Sequence, residues 1–233
     1  YHAITRPDLP FLKQDNRTLT FAQAEHRANR WANAMAGSGL AIGDRIAYLS
    51  TNDIDMGLMF MATSKAGVAP VMLNYRLVPR EWLWILKDAD CRMIFVRGAE
   101  YVAAIDKLRA ELPFIEHFVA IGTPAPAGWI AMEDYLASAS EARPNRPVGP
   151  EDIVHLIYTS GTTGLPKGCM HLHRSIMHNA IASTLWGSGS SENVSLGVLP
   201  IFHITGMVSV MHTSIYSGGT LVLMPRWDRD LAG

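Results

Sequence analysis

The chain alternates helical apolar stripes with short apolar runs along most of its length, and this alternation constrains its fold more than any other feature. The first predicted helix begins at Phe21 and continues its apolar stripe at Ala24, Ala28, Trp31 and Met35. The other predicted helices cover residues 54–66, 79–88, 100–110, 172–186 and 206–216. The predicted strands cover residues 45–50, 68–73, 91–96, 117–121, 153–160, 194–200 and 220–224. Strands that alternate with helices pair in parallel through right-handed crossovers, so the sequence predicts an α/β fold of mostly parallel sheets with flanking helices.

Local signals mark several helix ends. Thr20 stands before the first helix and Gln23 follows three residues later, which is the spacing of a capping box. Gly67 follows the second helix, where a left-handed residue often ends a helix. Pro79 stands in the first turn of the third helix, a position that tolerates its missing N–H.

Residues 139–150 are the best candidate for a connection between two parts of the chain. This segment contains three prolines, two arginines and few apolar side chains, a composition typical of loops. We therefore expect a first α/β part over residues 1–138 and a second part over residues 151–233.

Charge and apolar runs exclude several classes of protein. The formal net charge of −1 gives no electrostatic basis for general binding to nucleic acid or to an anionic membrane. No apolar run approaches the roughly 18 residues that a membrane span needs. The two cysteines, Cys91 and Cys169, cannot build a disulfide framework, and no secretory leader opens the chain. These features favour a cytoplasmic protein, and they say nothing about its oligomeric state.

Residues 159–168, with the sequence TSGTTGLPKG, carry the densest chemical signal. They follow an apolar strand and precede a predicted helix, and open α/β sheets bind ligands at the carboxyl ends of their strands. Gly161 and Gly164 allow several backbone N–H groups to converge on one anion, and Lys167 adds a positive charge suited to a polyphosphate. Hydroxyl donors stand at Thr159, Ser160, Thr162 and Thr163. An ordinary solvated turn uses the same residue types, but their density here favours a phosphate site.

The Walker A pattern of P-loop enzymes does not fit this segment. Pro166 stands where that pattern requires its second glycine, and Lys167 is followed by Gly168 rather than by Ser or Thr. A P-loop kinase or GTPase is therefore not expected.

The sequence YTSGTTGLPKG over residues 158–168 closely resembles the signature of the AMP-binding adenylate-forming superfamily. Residues 19–52, residues 65–96 and the LPIFHITGM segment over residues 199–207 are similar to further stretches of that family. The resemblance implies an incomplete N-terminal domain of the acyl-CoA synthetase type, with the C-terminal domain lying elsewhere. It also implies that the β- and γ-phosphates of ATP are held by Thr159, Ser160, Gly161, Thr162, Thr163, Gly164 and Lys167.

The LPIFHITGM segment resembles the family motif that lies beside the carboxylate and the adenylate. The resemblance gives Phe202, His203 and Gly206 substrate-binding roles, and it makes His203 and Lys167 the candidate catalytic residues. Taken alone, His203 reads more naturally as a satisfied core histidine. Residues 201–205 contain no acid, so a substrate ammonium group would lack a counter-charge in a closed pocket. A plain acyl or aryl carboxylic acid is therefore the expected substrate, and the choice between the two stays open.

The resemblance implies an ATP-dependent acyl- or aryl-CoA ligase. Its carboxylic acid substrate would attack the α-phosphorus of ATP to give an acyl-AMP, and coenzyme A would then accept the acyl group. The acidic ligand of Mg²⁺ is expected downstream of this chain, so the chain by itself is expected to be inactive. Two alternatives remain: an amino-acid adenylation domain and a non-catalytic nucleotide-binding module.

Other side chains receive structural interpretations. On a helix from Leu172, His173 would point away from His171 and His178, so no metal site is predicted from this chain's own residues. Trp82 and Trp84 are expected in a packed core. Three further residues are expected in ordinary roles: Cys169 as a buried structural thiol, and Glu133 and Asp134 as solvated acids at the start of a helix.

Overall fold

The computed structural model describes residues 1–159 and 164–232. The helices are α1 His2–Thr5, α2 Phe21–Gly37, α3 Ile54–Ala66, α4 Pro79–Asp88, α5 Ala99–Leu108, α6 Met132–Leu136, α7 His173–Trp186, α8 Thr213–Ser217 and α9 Arg229–Ala232. A 3₁₀ turn, Arg109–Glu111, follows α5, and a π-helix, Thr205–His212, precedes α8. The strands are β1 Pro10–Gln14, β2 Arg17–Thr20, β3 Arg45–Leu49, β4 Ala69–Leu73, β5 Cys91–Arg97, β6 His117–Ile121, β7 Ile130–Ala131, β8 Ile153–Thr159, β9 Lys167–Leu172, β10 Val194–Gly197 and β11 Thr220–Leu223.

The strands form two sheets. The larger has seven strands in the order β7-β6-β5-β3-β4-β8-β9, and all of its pairs are parallel except β8 with β9. The smaller has the order β10-β11-β1-β2, and only β1 and β2 pair antiparallel in it. The prediction of an α/β fold with mostly parallel sheets and flanking helices is confirmed.

The helix-end signals act as the sequence predicts. Thr20 accepts a hydrogen bond from the Gln23 amide, and the Gln23 side chain accepts one from the Thr20 amide, which completes the capping box of α2. Gly67 ends α3 in the left-handed conformation with φ of 71°. Asp53 caps the start of α3 through a 2.8 Å bond from the Met56 amide, a cap that the sequence analysis did not identify.

Two apolar clusters cover the two faces of the larger sheet. One cluster joins α2 and α3 to the smaller sheet, and its largest buried side chain, Trp31, packs against Phe95 and Tyr48. The other cluster packs α4 and α5 against the opposite face. Because both faces are covered, the central strands can be apolar along their whole length, as predicted. Of the helices in the described ranges, none has the length and apolarity that crossing a bilayer would require.

The strands that follow residues 139–150 pair with strands that precede them. β8 pairs with β4, and β11 pairs with β1. The connecting segment is itself tied to the first half of the chain, because the Asn33 amide donates to the carbonyls of Ser140 and Ala142 at 2.7 and 2.8 Å. Arg146 donates to the carbonyl of Leu40 at 3.0 Å. Strands from before and after residues 139–150 therefore share the same two sheets.

Strands β1, β2, β9 and the two-residue β7 were not predicted from the sequence. β9 lies at an edge of the larger sheet, and its first four residues are exposed. An edge strand with this much exposure lacks the continuous apolar run by which the central strands were found. β1 and β2 escaped for a related reason, because most of their residues are only half-buried or exposed.

Candidate active site

The carboxyl ends of the parallel strands meet along one edge of the larger sheet. β3, β4 and β8 are neighbours there and run in the same direction. The turn after β3 carries Asn52 and Asp53, Tyr75 follows β4, and Thr159 ends β8. Residues from three turns thus lie along the edge at which open α/β sheets bind their ligands.

β8 and β9 pair antiparallel as a hairpin, and the predicted phosphate-binding segment lies between them in the chain. Thr159 and Lys167 stand directly opposite each other in the register of the two strands, and both are exposed. Gly164 has a φ of 118°, in the region that favours glycine. The other predicted phosphate-binding residues, Ser160, Gly161, Thr162 and Thr163, lie outside the described residues.

The helix predicted after this segment is present, but a strand that was not predicted stands before it. β9 intervenes, and α7 begins only at His173. Lys167 is therefore the first residue of a strand, and pairing with Thr159 fixes its backbone. An anion at this segment would therefore meet Lys167 at the beginning of a strand, not the N-terminus of a helix.

Helix α4 holds the hairpin at two points. The indole N–H of Trp84 lies 3.3 Å from the carbonyl oxygen of Pro166, and the Tyr158 hydroxyl donates to Asp88 at 2.6 Å. Burial, followed by the bond to Asp88, raises the pKa of Tyr158, so the phenol keeps its proton at neutral pH. Trp84 packs at the margin of the core, as predicted, but its contact with the hairpin was not foreseen.

Residues 199–207 present a buried aromatic ring and an exposed imidazole side by side. Phe202 is buried, and its ring lies 5.5 Å from the ring of Tyr75 in an edge-to-face arrangement. His203 is exposed, so the alternative of a core histidine is wrong. A Cβ on Gly206 would lie 2.4 Å from the Pro200 carbonyl oxygen, so only glycine fits there.

A π-helix begins at Thr205, two residues after His203. It extends to His212 and continues into α8. π-helical turns are rare and occur frequently at functional sites. The sequence analysis predicted a helix here without its type, because the apolar pattern does not distinguish the two.

Tyr75 has further aromatic and cationic neighbours. The guanidinium of Arg226 lies 5.4 Å from its ring, and that of Arg76 lies 5.5 Å from it. Arg226 also approaches the Tyr101 hydroxyl at 3.5 Å. Sequence reasoning missed this group, although one signal was present: Tyr75 comes directly after a predicted strand, where site residues collect.

Comparison with known proteins decides the family. The family described as AMP-binding enzyme matches residues 1–232. This chain belongs to the AMP-binding enzyme family.

The curated relatives of this AMP-binding enzyme include ligases for both aromatic and aliphatic acids. Indoleacetate–CoA ligase of Aromatoleum aromaticum is 34% identical over 230 residues, which cover 98% of this chain and 44% of the relative. Long-chain-fatty-acid–CoA ligase FadD13 of Mycobacterium tuberculosis is 33% identical over 216 residues, 90% of this chain and 40% of the relative. The chain thus spans less than half the length of these relatives.

Solved structures agree with the fold. The anthranilate CoA ligase AuaEII, in complex with anthranoyl-AMP, superposes with a TM-score of 0.91 at 28% identity, over 99% of this chain and 45% of that one. The inhibitor-bound N-terminal domain of FACL13 from Mycobacterium tuberculosis gives a TM-score of 0.84 at 30% identity, over 99% of this chain and 57% of that one. The AMP-binding enzyme therefore shares its fold with the N-terminal part of acyl-CoA ligases.

The histidines of the AMP-binding enzyme fall into different surroundings. His155 is fully buried, 4.9 Å from the His171 ring and 6.1 Å from the His212 ring, and within the described part of the chain neither of its nitrogens has a hydrogen-bond partner. Burial lowers the pKa of His155 to about 2 and that of His212 to about 4. His171 lies on β9, not on a helix as the sequence analysis assumed, and His178 is exposed on α7. Among the described residues, no group of three or more His, Cys, Asp or Glu could hold a metal ion.

Two further expectations are settled by exposure and pairing. Cys169 is exposed on the edge strand β9, so the expectation of a buried thiol there is wrong, whereas Cys91 is buried. Glu133 is mostly exposed in the first turn of α6, and it forms a 2.7 Å ion pair with Arg27. The hydrogen bond from Arg27 lowers the pKa of Glu133.

A cavity of about 850 Å³ lies away from the hairpin turn. Its lining includes Phe60, Val154, Ile176 and His212. Val154 stands near the beginning of β8, whereas the turn follows the end of the same strand. The residues that line this cavity do not include Lys167, Phe202 or His203, so the candidate active site is defined by the hairpin and by residues 199–207.

Proposed function

We propose that this chain forms the ATP-phosphate and acid-binding part of an acyl- or aryl-CoA ligase. The observation that carries the proposal is the hairpin, in which Lys167 stands exposed opposite Thr159 at the carboxyl end of β8. Family membership and CoA-ligase relatives support the reaction class. The chain covers less than half of those relatives, so we expect it to bind nucleotide without completing the reaction by itself.

On the phosphate side, the proposed ligands are Thr159, Gly164 and Lys167, together with Ser160, Gly161, Thr162 and Thr163. Hydroxyls, backbone amides and a lysine are donors, so they suit the β- and γ-phosphate oxygens of ATP. The same set contains no carboxylate, the protein ligand through which Mg²⁺ is usually bound. The nearby carboxylate of Asp88 is already bonded to Tyr158. The described residues thus provide no Mg²⁺ site at the hairpin, and no step is assigned to the ion here.

On the acid side, the proposed residues are Phe202, His203 and Gly206. The exposed imidazole of His203 can donate a hydrogen bond to a carboxylate or to the developing anhydride. The buried ring of Phe202 and its neighbour Tyr75 provide an apolar wall beside it. Gly206 lets the beginning of the π-helix lie close against the Pro200 carbonyl oxygen.

The chemical step is an in-line attack by the substrate carboxylate on the α-phosphorus of ATP. A carboxylate oxygen forms the new P–O bond while the bond to the bridging oxygen of pyrophosphate breaks, and the products are acyl-AMP and pyrophosphate. Both reactants are anions, so their repulsion is a large part of the barrier. Lys167 and the turn amides would offset this repulsion and stabilise the leaving pyrophosphate. Coenzyme A is the proposed acceptor in the second step.

Acid-dependent exchange of pyrophosphate into ATP tests the proposal. The full gene product that contains this chain is assayed with aliphatic acids, aromatic acids and amino acids. Exchange with plain acids and formation of the CoA thioester support the proposal. Exchange with amino acids alone would identify an amino-acid adenylation domain. Nucleotide binding with no exchange for any acid would identify a non-catalytic module.

The relatives do not decide between acyl and aryl acids, because both kinds stand among them at similar identity. The acid panel therefore also identifies the substrate class. A cytoplasmic location belongs to the same proposal, and the presence of only two cysteines in the sequence supports it. No nucleic-acid partner is proposed.

A further inference from the structure

We infer that Asn52 is the positioning residue for the acid side of the site, and this inference rests on the proposed function. Asn52 lies in the turn between β3 and α3, is 2% exposed, and is not part of either sequence motif. Its side chain hydrogen-bonds to the backbone at four points, all of them far away in the sequence. Three of these points belong to the segment that leads to Phe202 and His203.

Both the Nδ2 and the Oδ1 atom of the Asn52 side chain form hydrogen bonds with the backbone of residues 197–201. Its Nδ2 lies 2.9 Å from the Leu199 carbonyl oxygen and 3.4 Å from that of Gly197. Its Oδ1 accepts a hydrogen bond from the Ile201 amide at 2.9 Å. Nδ2 also lies 3.3 Å from the Met224 carbonyl oxygen, just beyond β11. One side chain therefore connects the carboxyl end of β3 to the ends of β10 and β11.

Only a carboxamide meets this pattern. It offers two N–H donors toward carbonyl oxygens and one acceptor toward an N–H group. An aspartate in the same place would direct an oxygen at the three carbonyls and leave a buried charge without a cation. An alanine would leave the Leu199 carbonyl and the Ile201 amide without their partner, and an unpaired buried group destabilises the conformation that buries it.

The turn that carries Asn52 is itself held in place. Gln14, at the end of β1, donates to the Asn52 carbonyl at 3.3 Å and accepts from the Ile54 amide at 3.1 Å. Asp53 caps α3. Asn52 thus projects from a turn that is held in place, so its side-chain amide fixes residues 199–201 relative to the larger sheet. Phe202 and His203 follow within two residues of the Ile201 bond.

This geometry assigns Asn52 to one side of the site only. Among the described residues, none of its hydrogen bonds reaches the β8–β9 hairpin, which α4 holds through Trp84 and Tyr158. Loss of the Asn52 amide should therefore loosen the acid side and leave the phosphate side in place. Loss of a residue that served only the stability of the whole domain would affect the binding of the acid and of ATP alike.

The first experiment compares Asn52→Ala with Asn29→Ala in the full gene product, by pyrophosphate exchange. Asn29 is a matched control, because it is 4% exposed and its amide donates to the Glu141 carbonyl at 2.9 Å, away from residues 197–201. We expect Asn52→Ala to raise the KM for the acid by about tenfold, with the KM for ATP changed less than about twofold. Asn29→Ala should leave both KM values unchanged. Equal changes in both KM values, or none beyond those of the control, would overturn the inference.

The second experiment uses this chain alone and does not depend on turnover. Hydrogen exchange is measured at the Ile201 amide and, for reference, at the Ile46 amide in β3. Asn52→Ala should speed exchange at Ile201 by about tenfold and leave Ile46 unchanged, and unaltered exchange at Ile201 would contradict the inference. If Asn52→Ala does not fold, Asn52→Ser, which keeps a hydroxyl, is measured instead. If the wild-type gene product showed no pyrophosphate exchange, the proposed function would be wrong. The rate of hydrogen exchange at the Ile201 amide would still decide whether Asn52 fixes residues 199–201.

Discussion

The indole N–H of Trp84 donates a 3.3 Å hydrogen bond to the carbonyl oxygen of Pro166, the residue before Lys167. This bond connects α4, which packs on one face of the larger sheet, to the turn that is proposed to hold ATP phosphates. It joins two parts of the chain that are 82 residues apart. The position of Lys167 therefore depends on a helix that carries no recognisable motif.

Trp84→Phe tests this dependence. It removes the donor and keeps most of the apolar contact, so the hairpin should lose one anchor. We expect the KM for ATP to rise by about fivefold, which corresponds to the loss of one hydrogen bond of about 1 kcal/mol, with no change in the KM for the acid. Trp129→Phe is the control, because it removes a similar indole hydrogen bond, the one that Trp129 donates to Asp106 of α5 at 2.8 Å. Equal effects of the two variants would show that the Trp84 bond has no special role.

Lys167→Ala tests the proposed phosphate contact directly. Removing a charge that faces the leaving group should lower the rate of pyrophosphate exchange by roughly a hundredfold or more. Lys167→Arg should recover part of the rate, since it restores the charge with a different shape. Lys107→Ala, at an exposed position on α5, is the control. An exchange rate in Lys167→Ala that matches this control would refute the assignment of the hairpin.

Much of the fold could be predicted because its central elements are buried on both sides. Strands β3, β4 and β5 consist mostly of buried apolar residues, and two helix ends carry recognisable caps, Thr20 at the start of α2 and Gly67 at the end of α3. Edge strand β9 was missed because its exposed residues give no such run. Its strand character comes from pairing with β8, which is a tertiary contact that a local pattern does not contain.

The sequence could propose the parts of the candidate site that lie in a local motif, but not the parts that the fold assembles. Lys167 and Phe202 stand in short segments with an unusual composition, so the sequence alone is enough to propose them. Trp84, Asn52 and Tyr75 come from three other turns and helices, and only the folded sheet edge brings them to those segments. An isolated asparagine in a turn gives no sign of which distant carbonyls it binds.

Gly206→Ala tests whether the tight turn after His203 is required. The new Cβ would lie 2.4 Å from the Pro200 carbonyl oxygen, so the backbone must shift. We expect a loss of about 1–3 kcal/mol of stability, together with a higher KM for the acid. Gly37→Ala, at the end of α2, is the control because its Cβ would meet nothing within 4 Å. Thermal unfolding and acid titration measure both effects, and a Gly206→Ala protein as stable as the control would contradict the expected clash.

The buried His155 predicts how stability depends on pH. Burial lowers its pKa from 6.5 to about 2, so the folded protein keeps it neutral while the unfolded chain protonates it below about pH 6.5. The unfolded state then binds more protons as the pH falls, and stability should decline by up to about 1.4 kcal/mol per pH unit for this group. His171, His173 and His212 lie around it, and burial lowers the pKa of each of them as well.

His155→Leu should therefore reduce the acid sensitivity of folding. Neither nitrogen of His155 has a partner among the described residues, so an apolar side chain of similar size leaves no hydrogen bond unmade and should not destabilise the protein at pH 7. The fall in Tm between pH 7 and pH 5 should be smaller than in the wild type, because one group that takes up protons on unfolding is gone. His178→Leu, which removes an exposed histidine of α7, is the matched control. If the fall in Tm between pH 7 and pH 5 were as large in His155→Leu as in the wild type, His155 would have to be protonated in the folded protein. That result would contradict the expectation from its complete burial.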